Sequence, residues 1–475
     1  MDTMKKKKII YLSSVMLAWF LIGSCSKDFT ALSPVSQRNT TDFYQSQSDF
    51  NTSVMGAYVS LQLNGNFRQG IPVAFEMQSD NAFNGAGATG VSQQYEQVDL
   101  FQQIATGTFP ELVWSDAYKG IDRCNNIIKF IDKATFDPAL KNQYKGEALF
   151  IRSLLYYNLV VIFGNIQSKF DVTDGINRAL PQVDANTILN QIAGDLSNAA
   201  SLLPPGYSAA DKGRATSWAA KSLGAKVLLT AGKKAEAKTL LSDIINNGPY
   251  QLLTNYADIF GTSHKNNAES IFEVQYKSGG RNLGSMYTNM FVNPKGDQIG
   301  AGGGNIPFTI TTSIRDEFEP GDKRRAVSIV DTDPVQAWWI VPKYIGNVSG
   351  NLDGDANWFV MRFADVILMM AEAEGAPGGY TYINRIRTRA GLPSIGPSAT
   401  ETFEEQLLHE RRVEFAFEGQ RWPDLLRFGV AKKVMAKALT DRTGLTFTEN
   451  NIKLVFPIPQ QEIDNSTNLV QNQGY

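Results

Sequence analysis

Apolar residues recur at helical spacing over most of the chain, and the helices that this pattern predicts come in adjacent pairs. In the clearest pair, residues 215–230 and 234–245 are separated by a turn at Gly232, and small residues lie where the two helices would touch. Helices joined by so short a turn lie antiparallel and bury their apolar stripes against each other. The sequence therefore predicts a mostly α-helical body built from helix hairpins.

Further helices are predicted at residues 48–63, 111–132, 139–163, 187–203, 362–374, 380–390, 403–418 and 422–439. The run from Ala225 to Ala237 is similar to the centre of a tetratricopeptide repeat. The spacing of that repeat is not kept, so the pattern favours repeat-like helix pairs over a regular array.

Two segments, residues 78–108 and 249–359, lack helical periodicity and are predicted to be loop-rich insertions. Residues 270–276 and 338–344 alternate as short β-strands do, and Gly- and Asn-rich loops separate them. The helical scaffold is then predicted at residues 40–77, 109–248 and 360–440, followed by a C-terminal tail at 441–475. Loops on a rigid frame are where binding usually occurs.

The N-terminus has the pattern of a secretory signal. Lys5 to Lys8 precede the apolar residues 9–22, which are too few to span a bilayer comfortably. The stretch ends in Ile22-Gly23-Ser24-Cys25, which resembles the bacterial lipobox. We expect residues 1–24 to be a lipoprotein signal peptide, residues 25–475 the mature chain and Cys25 the lipidated residue; the alternative is an ordinary signal peptide with an incidental Cys.

Composition excludes several classes of function. The net charge of -2 provides no positive field for nucleic acid, so no nucleic-acid partner is expected. With two His and two Cys in 475 residues, the chain has no basis for a His-rich metal centre, a Cys zinc site or a disulfide framework. Cys124, within a predicted helix, is interpreted as a small buried apolar side chain.

Several segments together resemble the SusD/RagB family, the outer-membrane lipoproteins of Bacteroidetes that act with TonB-dependent transporters. The most specific is the run Glu-Arg-Arg-Val-Glu-Phe-Ala-Phe-Glu-Gly-Gln-Arg-Trp at residues 410–422, which continues to Gly429. The other matching runs appear in the family's order at residues 146–157, 159–164, 225–260, 362–373, 383–393 and 456–475.

The resemblance implies a tetratricopeptide-like helical bundle whose inserted loops form the ligand surface. It also implies a non-catalytic protein that binds a glycan and delivers it to a SusC-like TonB-dependent transporter, from a lipid anchor in the outer membrane that faces the cell surface. Two alternatives stay open, a peptide-binding protein of the RagB branch and a purely protein-binding scaffold. Residues 26–29 are less acidic than in many surface-exposed members, so a periplasmic orientation is the alternative location.

The two insertions contain the side chains expected to bind an oligosaccharide. Sugars stack on aromatic rings and exchange hydrogen bonds with polar side chains, and both residue types occur together there. We expect the two insertions to share one platform, although each ring alone is equally compatible with a place in the core. The predicted binding residues are Asp80, Asn81, Phe83, Asn84 and Tyr95 in the first insertion and Tyr276, Arg281, Tyr287 and Phe291 in the second; Trp338, Trp339 and Trp358 are interpreted as core.

Two motifs mimic chemical sites. Glu410, Glu414 and Glu418 share a helix face, but the arginines among them would lower carboxylate pKa values, whereas a glycosidase acid needs a raised one. A structural salt-bridge network is the favoured interpretation, and no catalytic residues are predicted.

Residues 85–90 satisfy the GxGxxG motif of a dinucleotide-binding site. They lack the preceding strand and the following helix start that such a site needs, and they are predicted to be a flexible surface loop.

Residues 351–357 place oxygen-bearing side chains at alternate positions, as a calcium loop does. An EF-hand needs Glu at its twelfth position, where this chain has Arg362 or Ala364, depending on the starting residue. The pattern favours a polar turn, with a structural calcium ion as the alternative. No other cofactor and no metal-ligand set is predicted.

Overall fold

The computed structural model describes residues 43–85, 90–172, 180–280, 283–291, 308–333 and 338–475, with the backbone alone described at residues 91, 332, 333 and 338. The predicted signal peptide and Cys25 lie outside these residues. Helices predominate, which confirms the mostly α-helical prediction. They are α1 (Gln47–Leu61), α2 (Gly70–Met77), α3 (Gln93–Asp99), α4 (Thr108–Ile131), α5 (Pro138–Phe163), α6 (Ala185–Leu202), α7 (Ser217–Thr230), α8 (Lys234–Asn247), α9 (Tyr287–Met290), α10 (Thr312–Glu317), α11 (Arg325–Ser328), α12 (Phe363–Glu374), α13 (Tyr380–Ala390), α14 (Phe403–Glu414), α15 (Arg421–Arg427), α16 (Ala431–Thr443) and α17 (Gln460–Asn465).

Helices α4 to α8 pack as successive neighbours, and α8 also packs on α12, which joins the two halves of the scaffold. The central helix α5 begins at the Asp137 cap, whose side chain accepts a hydrogen bond from Ala139 N, and it ends at Gly164, where φ is 70°. Within the described residues, α5 is the one helix long and apolar enough to cross a membrane, but its apolar window is entirely buried in the protein. It is therefore the core helix of the scaffold.

Two C-terminal helices are shorter than the periodicity predicts. The helix predicted at 403–418 ends at Glu414, and the one predicted at 422–439 is divided into α15 and α16. The chain turns through left-handed backbone at Phe417 (φ 66°), Gly419 (φ 68°) and Gly429 (φ 72°), a conformation that a right-handed helix cannot include. Apolar residues continue across these turns, and the turn at 417–419 is buried although Gly429 is exposed. The apolar pattern alone therefore could not reveal the breaks.

The strands are short and form antiparallel pairs. In the described residues they are β1 (Ala82–Asn84), β2 (Ile166–Gln167), β3 (Gln182–Val183), β4 (Ser270–Val274), β5 (Phe308–Ile310), β6 (Val330–Asp333), β7 (Trp338–Ile340), β8 (Val348–Gly350), β9 (Asp353–Gly354) and β10 (Trp358–Arg362). β4 pairs with β10, β6 with β7, β8 with β9, and β2 with β3. The fifth pair, β1 with β5, joins the first predicted insertion to the second.

Glu414 lies at the centre of a buried ion-pair cluster, formed with Arg324, Arg362 and Arg389. One Glu414 carboxylate oxygen lies 2.6 Å from Arg362 Nη1 and the other 3.2 Å from Arg324 Nη1, and Arg389 Nη2 also bonds the first. Burial alone raises the pKa of Glu414, but these guanidinium groups outweigh it and hold the pKa well below its usual range. The predicted salt-bridge network is confirmed, since this carboxylate is held ionised by structural partners.

Candidate functional site

The two insertions meet where β1 pairs with β5. Phe83 is opposite Thr309, and both side chains are partly exposed, whereas the flanking side chains on these strands are buried. A Cβ atom on Gly85 would lie 1.9 Å from Thr309 Oγ1, so a larger residue at the end of β1 would force the Thr309 side chain to move. We use the name ladder surface for Phe83 and Thr309 together with Arg442, which lies over the Phe83 ring, Trp339 on β7, which packs against β5, and Arg315, which lies over the Trp339 ring.

Phe83 forms the aromatic part of the ladder surface. The Arg442 guanidinium lies 4.7 Å from the centre of the Phe83 ring, and Arg442 Nη2 lies 2.8 Å from Asp99 Oδ1. Burial raises the pKa of Asp99 to about 6, although the Arg442 charge and hydrogen bond oppose this. The result is a partly exposed apolar ring with a guanidinium over one of its faces.

Trp339 is on β7, which lies against β5, and the Arg315 side chain packs on its ring. The Arg315 guanidinium is 5.1 Å from the Trp339 ring centre and also bonds Asp316 at 2.7 Å. Trp339 is only 8% exposed and Trp358 2%, which confirms the core interpretation for both. Trp338 belongs to β7, but its side chain is outside the described set.

Most of the predicted binding residues are buried, and their prediction as an exposed platform is wrong. Tyr287 is 0% exposed, its hydroxyl donates to Phe67 O, and its ring lies 5.0 Å from that of Trp358. A ring enclosed in this way has no face on which a sugar can stack. The same holds for the other buried members of the predicted set, which are Asp80, Asn81, Asn84, Tyr95, Tyr276 and Phe291.

The polar members of that set bond to the interior of the protein. Asp80 Oδ1 accepts from Arg421 Nε at 2.8 Å, and the Asn84 Nδ2 amide donates to Glu96 Oε2 at 2.8 Å. The Tyr95 hydroxyl is bonded by Gln69 Nε2. A mixture of polar and aromatic residues is thus equally suited to a core in which every polar side chain has a hydrogen-bond partner. The sequence had left this core placement open as the alternative for each ring.

Phe83 is the predicted binding residue that is partly exposed in the described part of the chain, and Arg281 lies outside it. Sequence reasoning did not identify Arg442, Arg315 or Thr309. Arg442 comes from the end of α16, and no sequence pattern indicates that this helix end packs beside the first insertion. The two insertions do meet at the β1–β5 pairing, but the predicted shared platform of stacked rings is not formed, because Tyr95 and Tyr287 are buried.

The oxygen-rich segment 351–357 holds a neighbouring loop. Asp353 Oδ2 accepts from the backbone N–H groups of Gly279 (3.0 Å) and Gly280 (2.7 Å), and Asn357 Oδ1 accepts from Tyr276 N at 2.8 Å. These oxygens accept hydrogen bonds from backbone N–H groups, as in a polar turn. Among the described residues, no three His, Cys, Asp or Glu side chains are grouped to hold a metal ion.

Two other predictions concern single features. Cys124 is fully buried, and burial raises the pKa of its thiol to about 12, which confirms its interpretation as an apolar core side chain. Of the GxGxxG motif, residues 86–89 lie outside the described residues.

Comparison with known proteins identifies relatives along the whole chain. Residues 330–475 match the SusD family model, and residues 28–229 match a model described as starch-binding, associating with outer membrane. The chain is 27% identical to the SusD-like protein P25 of Formosa agariphila, over 98% of this chain and 99% of that protein.

Solved structures share the fold. A laminarin-binding SusD-like protein superimposes with a TM-score of 0.78 at 27% identity, over 91% of this chain and 100% of the other. Surface glycan-binding protein A from Bacteroides fluxus gives a TM-score of 0.79 at 25% identity, over 91% of this chain and 100% of that chain.

Proposed function

The chain belongs to the SusD/RagB family, and we propose from this premise that it binds a glycan at the ladder surface and delivers it to a SusC-like TonB-dependent transporter. The observation that carries the proposal is the β1–β5 pair, because it places a partly exposed aromatic ring from one insertion beside a hydroxyl from the other. The names of the relatives support the ligand class, since two of the similar structures are described as laminarin-binding and glycan-binding.

The chemistry of the ladder surface suits a carbohydrate. A sugar ring has an apolar face, which can stack on Phe83, and hydroxyl groups, which can bond the guanidinium of Arg442 and the Thr309 hydroxyl. Arg442 and Arg315 each pair with a carboxylate, so neither presents an uncompensated charge to the ligand. This arrangement favours a neutral oligosaccharide over a strongly anionic one.

We further propose that the protein binds its ligand without cleaving it. A glycosidase needs a carboxylic acid with a raised pKa beside a substrate cleft. Glu414 is fully buried and ionised among arginines, and Glu418 bonds Arg362 at 2.7 Å in the same interior. Asp99, whose pKa burial raises to about 6, is 3% exposed, and its two oxygens accept from Arg442 Nη2 and Asn84 N. These carboxylates are better explained as structural.

The proposed location is the outer membrane, with the chain tethered through lipid on Cys25 and exposed at the cell surface. The family description, associating with outer membrane, supports the membrane. Replacing Cys25 by Ala should release the protein into the soluble periplasmic fraction. Retention of the variant in the membrane after a carbonate wash would contradict the anchor.

The binding proposal is tested by calorimetry on the purified mature chain. The ligands are laminarin oligosaccharides, maltooligosaccharides and, as the competing class, a peptide mixture. We expect heat of binding with at least one glycan and none with peptides. Binding of peptides alone would replace the glycan by a peptide ligand, and binding of neither would favour a protein-binding scaffold.

A further inference from the structure

One buried arginine of the scaffold contacts both insertions at the point where they meet. Arg412, on α14, donates from Nη2 to Asp80 O at 2.8 Å and from Nε to Asn81 Oδ1 at 3.0 Å. The same guanidinium donates from Nη2 to Ser313 Oγ at 3.0 Å and from Nη1 to Glu317 Oε2 at 2.8 Å. The Arg412 side chain is only 4% exposed, although Ser313 is exposed and Glu317 partly exposed.

The groups that Arg412 holds flank the paired strands. Asp80 and Asn81 directly precede β1, whereas Ser313 and Glu317 belong to α10, which begins two residues after β5 ends. The two insertions also bond each other here, because Thr311 N donates to Asn81 O at 3.0 Å and Thr311 Oγ1 donates to Asp80 O at 2.7 Å. The oxygen of Asp80 therefore accepts from both the scaffold and the second insertion.

We propose that Arg412 is a positioning residue that sets the register of β1 on β5 and thereby the shape of the ladder surface. Each strand has three residues, and two such short strands do not pair stably on their own. A slip of one residue would turn Phe83 from the exposed face to the buried one. The consequence for glycan binding rests on the proposed function; the consequence for strand pairing does not.

Arginine is the residue type that this position requires. A guanidinium presents five N–H donors in a rigid planar fork, and here it reaches four acceptors on two chain segments at once. Lysine keeps the charge but presents a single ammonium on a flexible stem. Arg412→Lys should therefore preserve the ion pair with Asp80 or Glu317 and lose the simultaneous contact with both insertions.

The adjacent arginine provides a matched control. Arg411 is also on α14 and is 1% exposed, but it pairs with Asp365 at 2.9 Å and Asp424 at 2.8 Å, both of them in scaffold helices. Arg411→Lys thus disturbs a buried ion pair of the same helix without touching either insertion.

The test compares Arg412→Lys and Arg411→Lys in the purified mature chain. Hydrogen exchange is measured on peptides covering residues 80–84 and 308–313, together with thermal unfolding and the affinity for laminarihexaose and maltohexaose. We expect both variants to lower the melting temperature. Only Arg412→Lys should increase exchange in these two peptides by about tenfold or more and weaken glycan binding by a similar factor.

Equal exchange in Arg412→Lys and the wild type would overturn the proposal, as would the same increase in Arg411→Lys. If Arg412→Lys does not fold, Ser313→Ala removes one acceptor at an exposed position; increased exchange confined to residues 308–313 would support the proposal, and unchanged exchange would overturn it. Exchange is measured without ligand. A wild-type protein that binds none of the glycans would therefore refute the proposed function and leave the positioning role to be judged by exchange alone.

Discussion

The buried ion-pair cluster and the ladder surface both combine arginine with carboxylates, but the paired side chains differ in their exposure to solvent. Arg362 and Glu414 in the cluster are 1% and 0% exposed, whereas Arg315 and Asp316 beside the ladder are 33% and 64% exposed. A buried charge that loses its partner cannot be solvated by water, whereas an exposed charge can. Arginine–carboxylate pairs are thus fixed structure in the cluster, whereas the Arg315–Asp316 pair can exchange its partners with water.

The largest effect is expected for Glu414→Gln, which leaves Arg324, Arg362 and Arg389 without their shared counter-charge. Removing one member of a buried ion pair typically costs about 3–5 kcal/mol. We expect a loss of this size in the free energy of unfolding, measured by denaturant titration.

An exposed pair on another helix is the control for Glu414→Gln. Lys437 and Asp441 lie 2.6 Å apart with side chains 76% and 61% exposed. Asp441→Asn should cost no more than about 0.5 kcal/mol. Similar losses in the two variants would contradict the contrast between buried and exposed pairs.

Tyr287→Ala should also destabilise the fold, although this residue was expected to bind the ligand. Truncating a buried aromatic side chain costs about 3–5 kcal/mol, and at Tyr287 the hydroxyl bond to Phe67 O is lost as well. The measurement is thermal and denaturant unfolding beside glycan affinity. Unchanged stability together with lost glycan binding would show that Tyr287 belongs to the binding site after all.

Tyr287 shows where prediction from the sequence reached its limit. Helix α13 was predicted with its observed bounds, and the scaffold helices α1 and α4 to α8 within a few residues, because apolar periodicity reports directly which face is buried. In the insertions, Tyr287 and Phe291 follow no period, so nothing in the sequence distinguishes an exposed ring from an enclosed one. Tyr276 continues the strand alternation of Phe272 and Val274, and all three are buried. The predicted domain boundaries and lipidation at Cys25 stay predictions.

The candidate site depended on contacts between distant segments. Phe83 was predicted from its local neighbours, whereas Arg442 reaches it from a helix more than three hundred residues later in the chain. Helix α2 lies in the predicted scaffold at residues 40–77 but was not predicted individually, because it has only eight residues and contains Gly70 and Pro72, which weaken a helical pattern.

A smaller change, about 1 kcal/mol in the free energy of unfolding, is expected from the titration of Glu76, which lies beside the cluster. Burial raises the pKa of Glu76 to about 8, with its hydrogen bond from Gly419 N and the Lys343 charge opposing this. Because the folded pKa exceeds the unfolded one, the stabilising contribution is full below about pH 4.5 and is lost as the pH rises through 8. Between pH 7 and 9 the free energy of unfolding should fall by about 1 kcal/mol through this group.

Glu76→Gln isolates that contribution. Lys343, whose pKa burial lowers to about 8, titrates in the same range with the opposite sign, since its unfolded form holds the proton more tightly. Subtracting the pH profile of Glu76→Gln from that of the wild type removes the part due to Lys343. Parallel profiles would show that Glu76 is ionised throughout and that the interior tolerates its charge.

Phe83→Ala should affect stability only slightly, and it is the change that most directly tests the ladder surface. Phe83 is partly exposed on a three-residue strand, so its truncation should cost about 1 kcal/mol or less in unfolding free energy. The loss of one stacking ring is worth about 1 kcal/mol, which corresponds to roughly fivefold weaker glycan binding by calorimetry.

Phe428 is the matched control, because it is also partly exposed and its ring centre lies 5.4 Å from the guanidinium of Arg427, at the end of α15. Phe428→Ala should lower stability to a similar extent and leave affinity unchanged; if both variants weaken binding equally, the effect comes through the fold and the ladder surface is not where the sugar stacks.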